Sequence, residues 1–202
     1  MYKISVCILI VSIGVAACAS NQKKTTVEEN GYSYSYSIDS ENQKQGKQTV
    51  LHPNGFIFEE SQYKDGQLHG TRSIYFPSGK IELEETYSNG LLQGVYKSYY
   101  PDGQLKYETH YSENVLKGLF TQYYPDGNIK EKVTFENNEE NGPFVEYYEN
   151  GNKKWAGTYK NGDNEVGLLQ KYDESGKLIR KLECNDKSVC TTIWTIDDES
   201  SK

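Results

Sequence analysis

One spacing dominates this sequence. Glycines stand at Gly46, Gly70, Gly94, Gly118 and Gly142, each 24 residues after the last, and then at Gly167 after one extra residue. Nine positions behind each runs a second series, Gly55, Gly79, Gly103, Gly127, Gly151 and Gly176. A third position carries Gly66, Gly90, Asn114, Asn138 and Gly162. Gly and Asn are the residues that most readily take a left-handed backbone, so this position selects a conformation. With Gly31 as an earlier step, sixteen of the 18 glycines fall in the frame, which only a repeat architecture explains.

Each glycine of the second series closes a turn, as in Pro53-Asn54-Gly55, Pro77-Ser78-Gly79, Pro101-Asp102-Gly103 and Pro125-Asp126-Gly127. Proline fixes φ at the first corner, Asp, Asn or Ser accepts a local hydrogen bond, and Gly takes the positive φ that follows. That is the chemistry of a type I turn with a bulge reversing a hairpin. The third series is read as the same turn without proline. Turns thus alternate every 11 and 13 residues, leaving room for strands of roughly eight to ten residues and none for helices. Ile81, Leu83 and Tyr87 share one parity, as do Leu105, Tyr107 and Tyr111, which marks half-buried strands. The fold class expected is all-β: an elongated array of antiparallel hairpins. Tyr63, Tyr87, Tyr111, Phe135 and Tyr159 recur at one end of the repeat and are expected to bury and stack as a ladder along the sheet. Tyr32 to Ile38 alternates in the opposite parity, which predicts a register shift or bulge there.

Composition narrows function by exclusion. The chain has 202 residues, a net charge of -7 and 25% charged side chains, and this acidic balance disfavours nucleic acid, whose phosphates need Lys and Arg. Mean hydropathy is -0.80, which excludes a polytopic membrane protein. His52, His69 and His110 occupy different offsets in different repeats and read as structural or solvated. Glu82, Glu84, Glu85 and Glu108 read as a water-facing charge surface. No nucleophile with a base, metal cluster or phosphate loop is legible, so the expectation is a protein that is not an enzyme and needs no cofactor or metal.

The N-terminus reads as an address. Met1-Tyr2-Lys3 precedes an uncharged stretch from Ile4 to Ala17, too short for the roughly 20 apolar residues of a membrane span. Its end, Val15-Ala16-Ala17-Cys18, resembles the lipobox of bacterial lipoproteins. That resemblance implies a signal peptide over 1–17, acylation of Cys18 and a polar tether over 18–30. It also implies the cell envelope as location, the outer membrane or cell surface more than the inner membrane, since Ala19-Ser20 lacks a retaining Asp. The alternative is a plain cleaved signal with an incidental cysteine. Cys184 and Cys190 remain as an even pair, which in an oxidising compartment closes a small loop as a disulfide. The rival reading is a metal site, but two thiols with no nearby His fall short of the four ligands that zinc takes.

The unit from Gly94 through Val95-Tyr96-Lys97-Ser98-Tyr99-Tyr100-Pro101-Asp102-Gly103-Gln104-Leu105 to Tyr111 resembles the variant MORN repeat: a Gly, a Tyr pair, an Asp/Asn-Gly turn, a branched aliphatic, a later Tyr. The resemblance covers Gly31 to about Leu182, and the repeat region as a whole is read as 31–193, leaving 194–202 as a tail. It implies a MORN-like meander or solenoid and a binding role. Bacterial proteins of this kind are often labelled antitoxin-like, and no active-site motif is carried over. Four functions are open: a lipid-anchored scaffold binding an envelope protein or its own copy, a glycan or peptidoglycan binder stacking sugars on tyrosines, an antitoxin-like inhibitor of a partner, and a hydrolase, which would have to break the repeat pattern to build a site. Tyr100, Tyr124 and Tyr148 are the candidate binding surface, because their neighbours in each aromatic pair point inward.

Overall fold

The computed structural model describes residues 22–198, so the signal segment and Cys18 lie outside the described residues. Among the described residues sixteen strands, from Lys23–Glu29 to Cys190–Thr195, form one open antiparallel sheet in which, the short Val115–Leu116 aside, consecutive strands pair in chain order. Among the described residues there is no α-helix, only a single 3₁₀ turn at Ile196–Asp198. The two-residue strand Val115–Leu116 leads into Gly118–Tyr123, and both pair with Leu105–Ser112.

Two turn types alternate, each dictated by its residues. At the Pro-Asp-Gly sites only the glycine has positive φ, for example 91° at Gly103, and Gly103 N–H donates to the Tyr100 carbonyl at 2.8 Å. This is the type I turn with a bulge. The third series differs from the sequence reading. Both central residues are left-handed there, as in Asn89 at 50° and Gly90 at 78°, or Glu113 at 52° and Asn114 at 68°. Through Asn138 these are two-residue type I′ turns, whose twist suits a tight hairpin; at Asn161-Gly162 the extra residue lengthens the loop, and the Lys160 N–H donates to the Asn164 carbonyl at 2.9 Å. Asn114 and Asn138 add what Gly cannot, since their side-chain oxygens accept the Leu92 and Leu116 N–H groups at 2.7 Å.

These turns also join repeats. The N–H groups of Gly66, Gly90, Asn114, Asn138 and Gly162 donate to the carbonyls of Lys44, Leu68, Leu92, Leu116 and Glu140, in each case one repeat earlier. Bulges recur beside them. The pairing of Ile81–Ser88 with Leu91–Tyr99 skips between Glu85 and Tyr87, opposite Gly94, whose φ is 113°. A Cβ on Gly94 would come within 3.3 Å of the Thr86 Cβ. The bulge expected in the leading segment falls between Ser35 and Ser37.

The ends differ from the sequence reading in two respects. Lys23–Glu29 pairs along its whole length with Tyr32–Ile38 through the Asn30-Gly31 turn, so the polar segment before the array is shorter than 18–30. The run Thr25-Thr26-Val27 has strand propensity, and the Asn-Gly turn supplies its partner. The last strand extends through Thr195, two residues past 193.

Candidate interaction faces

Adjacent strand residues point to opposite faces, so register assigns every side chain to a face. One face carries a central row of residues paired across the strands: Gln48 with Ser61, Arg72 with Glu85, Tyr96 with Thr109, Phe120 with Val133, and Leu169 with Leu182. Phe144 pairs with Val133 on one side and Gly157 on the other. The row is polar in its first half and apolar in its second.

In the polar half Arg72 donates to Glu85 at 2.7 Å and to Glu59 at 2.8 Å. Burial works against the guanidinium charge, but the hydrogen bonds Arg72 donates to the Glu59 and Glu85 carboxylates outweigh it and hold Arg72 more firmly protonated than usual. The Tyr87 hydroxyl donates to Glu85 at 3.2 Å. Lys44 lies 4.7 and 4.8 Å from the ring centres of Tyr36 and Tyr63, and donates to the Gln48 side chain at 2.6 Å. Burial lowers the Lys44 pKa, with Glu59 opposing. Glu85 is therefore no part of a water-facing surface: it is 8% exposed. Its sequence signal is parity, since it alternates in phase with Leu83 and Tyr87, and Arg72 across the pair neutralises it.

In the apolar half Val133, Phe144, Leu169 and Cys184 are buried, with Phe135, Trp155, Tyr159, Leu182 and Cys190 packed against them. Phe144 and Tyr159 stack at 4.0 Å. Gly157, outside the 24-residue frame, makes room: a Cβ there would stand 2.8 Å from Phe144 Cε1. Here Phe144, Trp155, Tyr159 and Leu169 line an open groove of about 270 Å³ between Glu146 and Glu165. Glu131 lies alongside, paired in register with Glu146. Burial, then the charges of Glu146 and Glu140, raises its pKa. Lys171 sits 5.1 Å over the Trp155 ring, showing that this surface accepts a cation on an aromatic face.

Rings do not stack between equivalent repeat positions. Two strands separate such positions by about 9.6 Å, beyond the 4.5–7 Å of ring contact. Contacts run diagonally instead, from Tyr111 to Tyr96, Tyr107, Phe120 and Phe135, with centres 5.5 to 6.0 Å apart. Tyr63, Tyr87, Tyr111 and Tyr159 are half-buried in this arrangement.

Tyr100, Tyr124 and Tyr148 are half-buried and span the seams between repeats. Their hydroxyls donate to the carbonyls of Tyr123, Tyr147 and Tyr172 at 2.8, 2.8 and 3.0 Å. Of their pair-mates, Tyr99 and Tyr123 donate to Glu84 and Glu108 at 2.5 and 2.9 Å, as Tyr75 one repeat earlier donates to Glu60 at 3.3 Å. At the next step the carboxylate position holds Lys132.

Cys184 and Cys190 face each other across the last hairpin, and their sulfurs are bonded at 2.01 Å. His52 stacks on Phe56 at 4.5 Å, His69 Nδ1 accepts the Asn89 N–H at 3.4 Å, and His110 is exposed. Among the described residues no three His, Cys, Asp or Glu side chains converge as a metal site requires.

No curated protein matches the chain. The MORN repeat variant matches over residues 68–89, 92–113, 116–137, 140–161 and 165–183, more than half of the chain. Five consecutive matches coincide with the hairpins just described, and the chain belongs to the MORN repeat variant family.

Proposed function

We propose that this protein is a non-catalytic interaction scaffold whose apolar half-face binds a basic, partly apolar segment of another envelope protein. One observation carries this reading. The groove of Phe144, Trp155, Tyr159 and Leu169 is lined by Glu146 and Glu165, and among the described residues no second layer of secondary structure covers it. Aromatic rings offer contact area at low entropic cost, and the carboxylates, of which Glu146 already meets Lys154 at 3.2 Å, favour Lys or Arg. The stiff hairpin stack keeps the groove formed before a partner arrives.

In this reading Cys18 is acylated and holds the sheet at a bacterial membrane, the outer membrane or cell surface. Only Ala19 to Gln22 separate Cys18 from the first strand, so the sheet edge would stand within about 18 Å of the anchor. Intact mass of membrane-extracted protein tests the anchor, and an unmodified N-terminus refutes it.

The groove is tested by titrating a set of Lys/Arg-rich amphipathic peptides while following Trp fluorescence. Binding should weaken as salt rises and fall about ten-fold or more in E146Q/E165Q, which leaves the apolar packing in place. Binding that ignores both salt and these substitutions, or no binding by any peptide, overturns the proposal.

A further inference from the structure

An open sheet ends in strands whose outer N–H and C=O groups lack a neighbour, and the two ends of this sheet are built differently. The last strand, Cys190–Thr195, is tied by the disulfide, slips register between Lys181 and Leu182, and runs straight into the 3₁₀ turn Ile196–Asp198. The first strand, Lys23–Glu29, pairs with Tyr32–Ile38 over all 7 residues without a bulge, and it contains no proline. Among the described residues nothing pairs with its outer edge. All its side chains except Thr25 are exposed, Val27 by 41%, and among the described residues none of its Lys and Glu side chains has an ion-pair partner.

The order of residues on this edge is self-complementary. Lys23-Lys24-Thr25-Thr26-Val27-Glu28-Glu29 places its cations at one end, its carboxylates at the other and Thr26 at the midpoint. Laid antiparallel on its own copy about Thr26, the strand sets Lys23 opposite Glu29, Lys24 opposite Glu28, Thr25 opposite Val27 and Thr26 opposite Thr26. Every charge meets its opposite. Sliding the strands by two residues either way parts every Lys–Glu pair, and a parallel arrangement in register sets like charge on like. Charges on an edge ordinarily repel a second strand; this order makes the repulsion depend on register.

The main chain has the same symmetry. Asn30 and Gly31 are both left-handed, at 51° and 82°, so this two-residue turn makes Glu29 and Tyr32 a hydrogen-bonded pair. Alternation from that pair turns the N–H and C=O groups of Val27, Thr25 and Lys23 inward, and those of Glu28, Thr26 and Lys24 outward. A two-fold axis through the midpoint of a Thr26–Thr26 pair therefore supplies about six main-chain hydrogen bonds, from that pair and the Lys24–Glu28 pair on either side. The axis is perpendicular to the sheet, so opposed side chains lie on the same face in both copies.

We infer that a second copy of this chain pairs with the free edge of the first strand, antiparallel about Thr26. The two sheets become one continuous sheet with both grooves on the same side. The interface is independent of the groove, so either proposal can fail alone.

Sedimentation of the detergent-extracted full chain, combined with site-directed crosslinking, tests this. A dimer should form and weaken as salt rises. K23E/K24E makes both ends of the strand acidic and E28K/E29K makes both basic; each variant alone should dimerise about ten-fold or more weakly, and mixing the two should restore pairing. T26C should crosslink to itself under mild oxidation, since Cα atoms in a hydrogen-bonded pair lie about 5.5 Å apart. T25C or V27C alone should not crosslink, whereas the two mixed should. Circular dichroism checks that each variant folds. A monomer at every concentration, self-crosslinking of T25C without that of T26C, charge variants that dimerise like the parent, or an open-ended polymer in which first edge meets last overturns the inference.

Discussion

Gly157 is the most informative single position for stability. It has no positive φ, so its backbone suits any residue, and nothing about its turn or frame requires glycine. Its constraint is space: a Cβ would stand 2.8 Å from Phe144 Cε1, 3.0 Å from Cζ and 3.2 Å from Leu169 Cγ. Gly157→Ala elsewhere in a strand would gain about 0.4–1 kcal/mol by restricting the unfolded chain. Here the methyl drives into a ring already stacked on Tyr159, and overpacking costs about 1–3 kcal/mol. The balance is a loss of about 1–2 kcal/mol. Urea unfolding followed by Trp fluorescence reads it, because Trp155 packs against the same cluster. Phe144→Leu, which removes the crowding atoms, should make the added methyl less costly, giving a coupling of about 1 kcal/mol in a double-mutant cycle. A Gly157→Ala protein as stable as its parent, or strictly additive effects, would refute the packing argument.

Four further outcomes follow from named contacts. Arg72→Met leaves Glu59 and Glu85 facing each other without a cation; because Arg72 retains some exposure, the loss should be about 2–3 kcal/mol rather than the full cost of a broken buried pair, read by urea unfolding. Tyr124→Phe removes one inter-repeat hydrogen bond, to the Tyr147 carbonyl, and should cost about 1 kcal/mol in the same assay. Reducing Cys184–Cys190 opens a small loop worth about 2 kcal/mol, and hydrogen exchange should speed up over Leu178–Cys184 and Cys190–Thr195 first. Glu131 has its pKa raised by burial and then by Glu146 and Glu140, so its stabilising contribution is complete below the ordinary value of 4.5 and is lost as pH rises through the raised one. Glu131→Gln should therefore raise Tm at pH 7 and lose that advantage near pH 4; an equal gain at both would contradict the assignment.

The hairpin path was legible because turn chemistry is local. A left-handed residue at a fixed spacing needs no knowledge of its neighbours in space, and positions such as Asn114 and Gly162 behave alike despite different side chains. The choice between a type I turn with a bulge and a type I′ turn was not legible, because it depends on the residue before the glycine or asparagine also turning left-handed, as Asp65 does before Gly66 and Glu113 before Asn114. Side-chain fate was harder still. Glu85 and Val133 hold the same repeat position, and only the cross-strand partner, Arg72 for one and Phe144 for the other, decides whether a carboxylate or an isopropyl group belongs there. Tyr100 shows the same limit: alternation placed the ring, but not the carbonyl of the next repeat that takes its hydroxyl proton.

These two kinds of information separate because different groups do the work. Backbone bonds, such as those from Gly90 to Leu68 and from Gly162 to Glu140, join successive repeats whatever the central row contains. Relieved of that task, the row passes from an ionic cluster around Arg72 to an aromatic groove around Phe144 without disturbing the frame. Neighbouring repeats therefore differ chiefly in side chains: at the replacement of Glu by Lys132, at the lone Gly157, and in the exchange of Thr71 for Val95 and Leu119 on the opposite face. The repeat sets the backbone, and departures from it set what the two faces can bind.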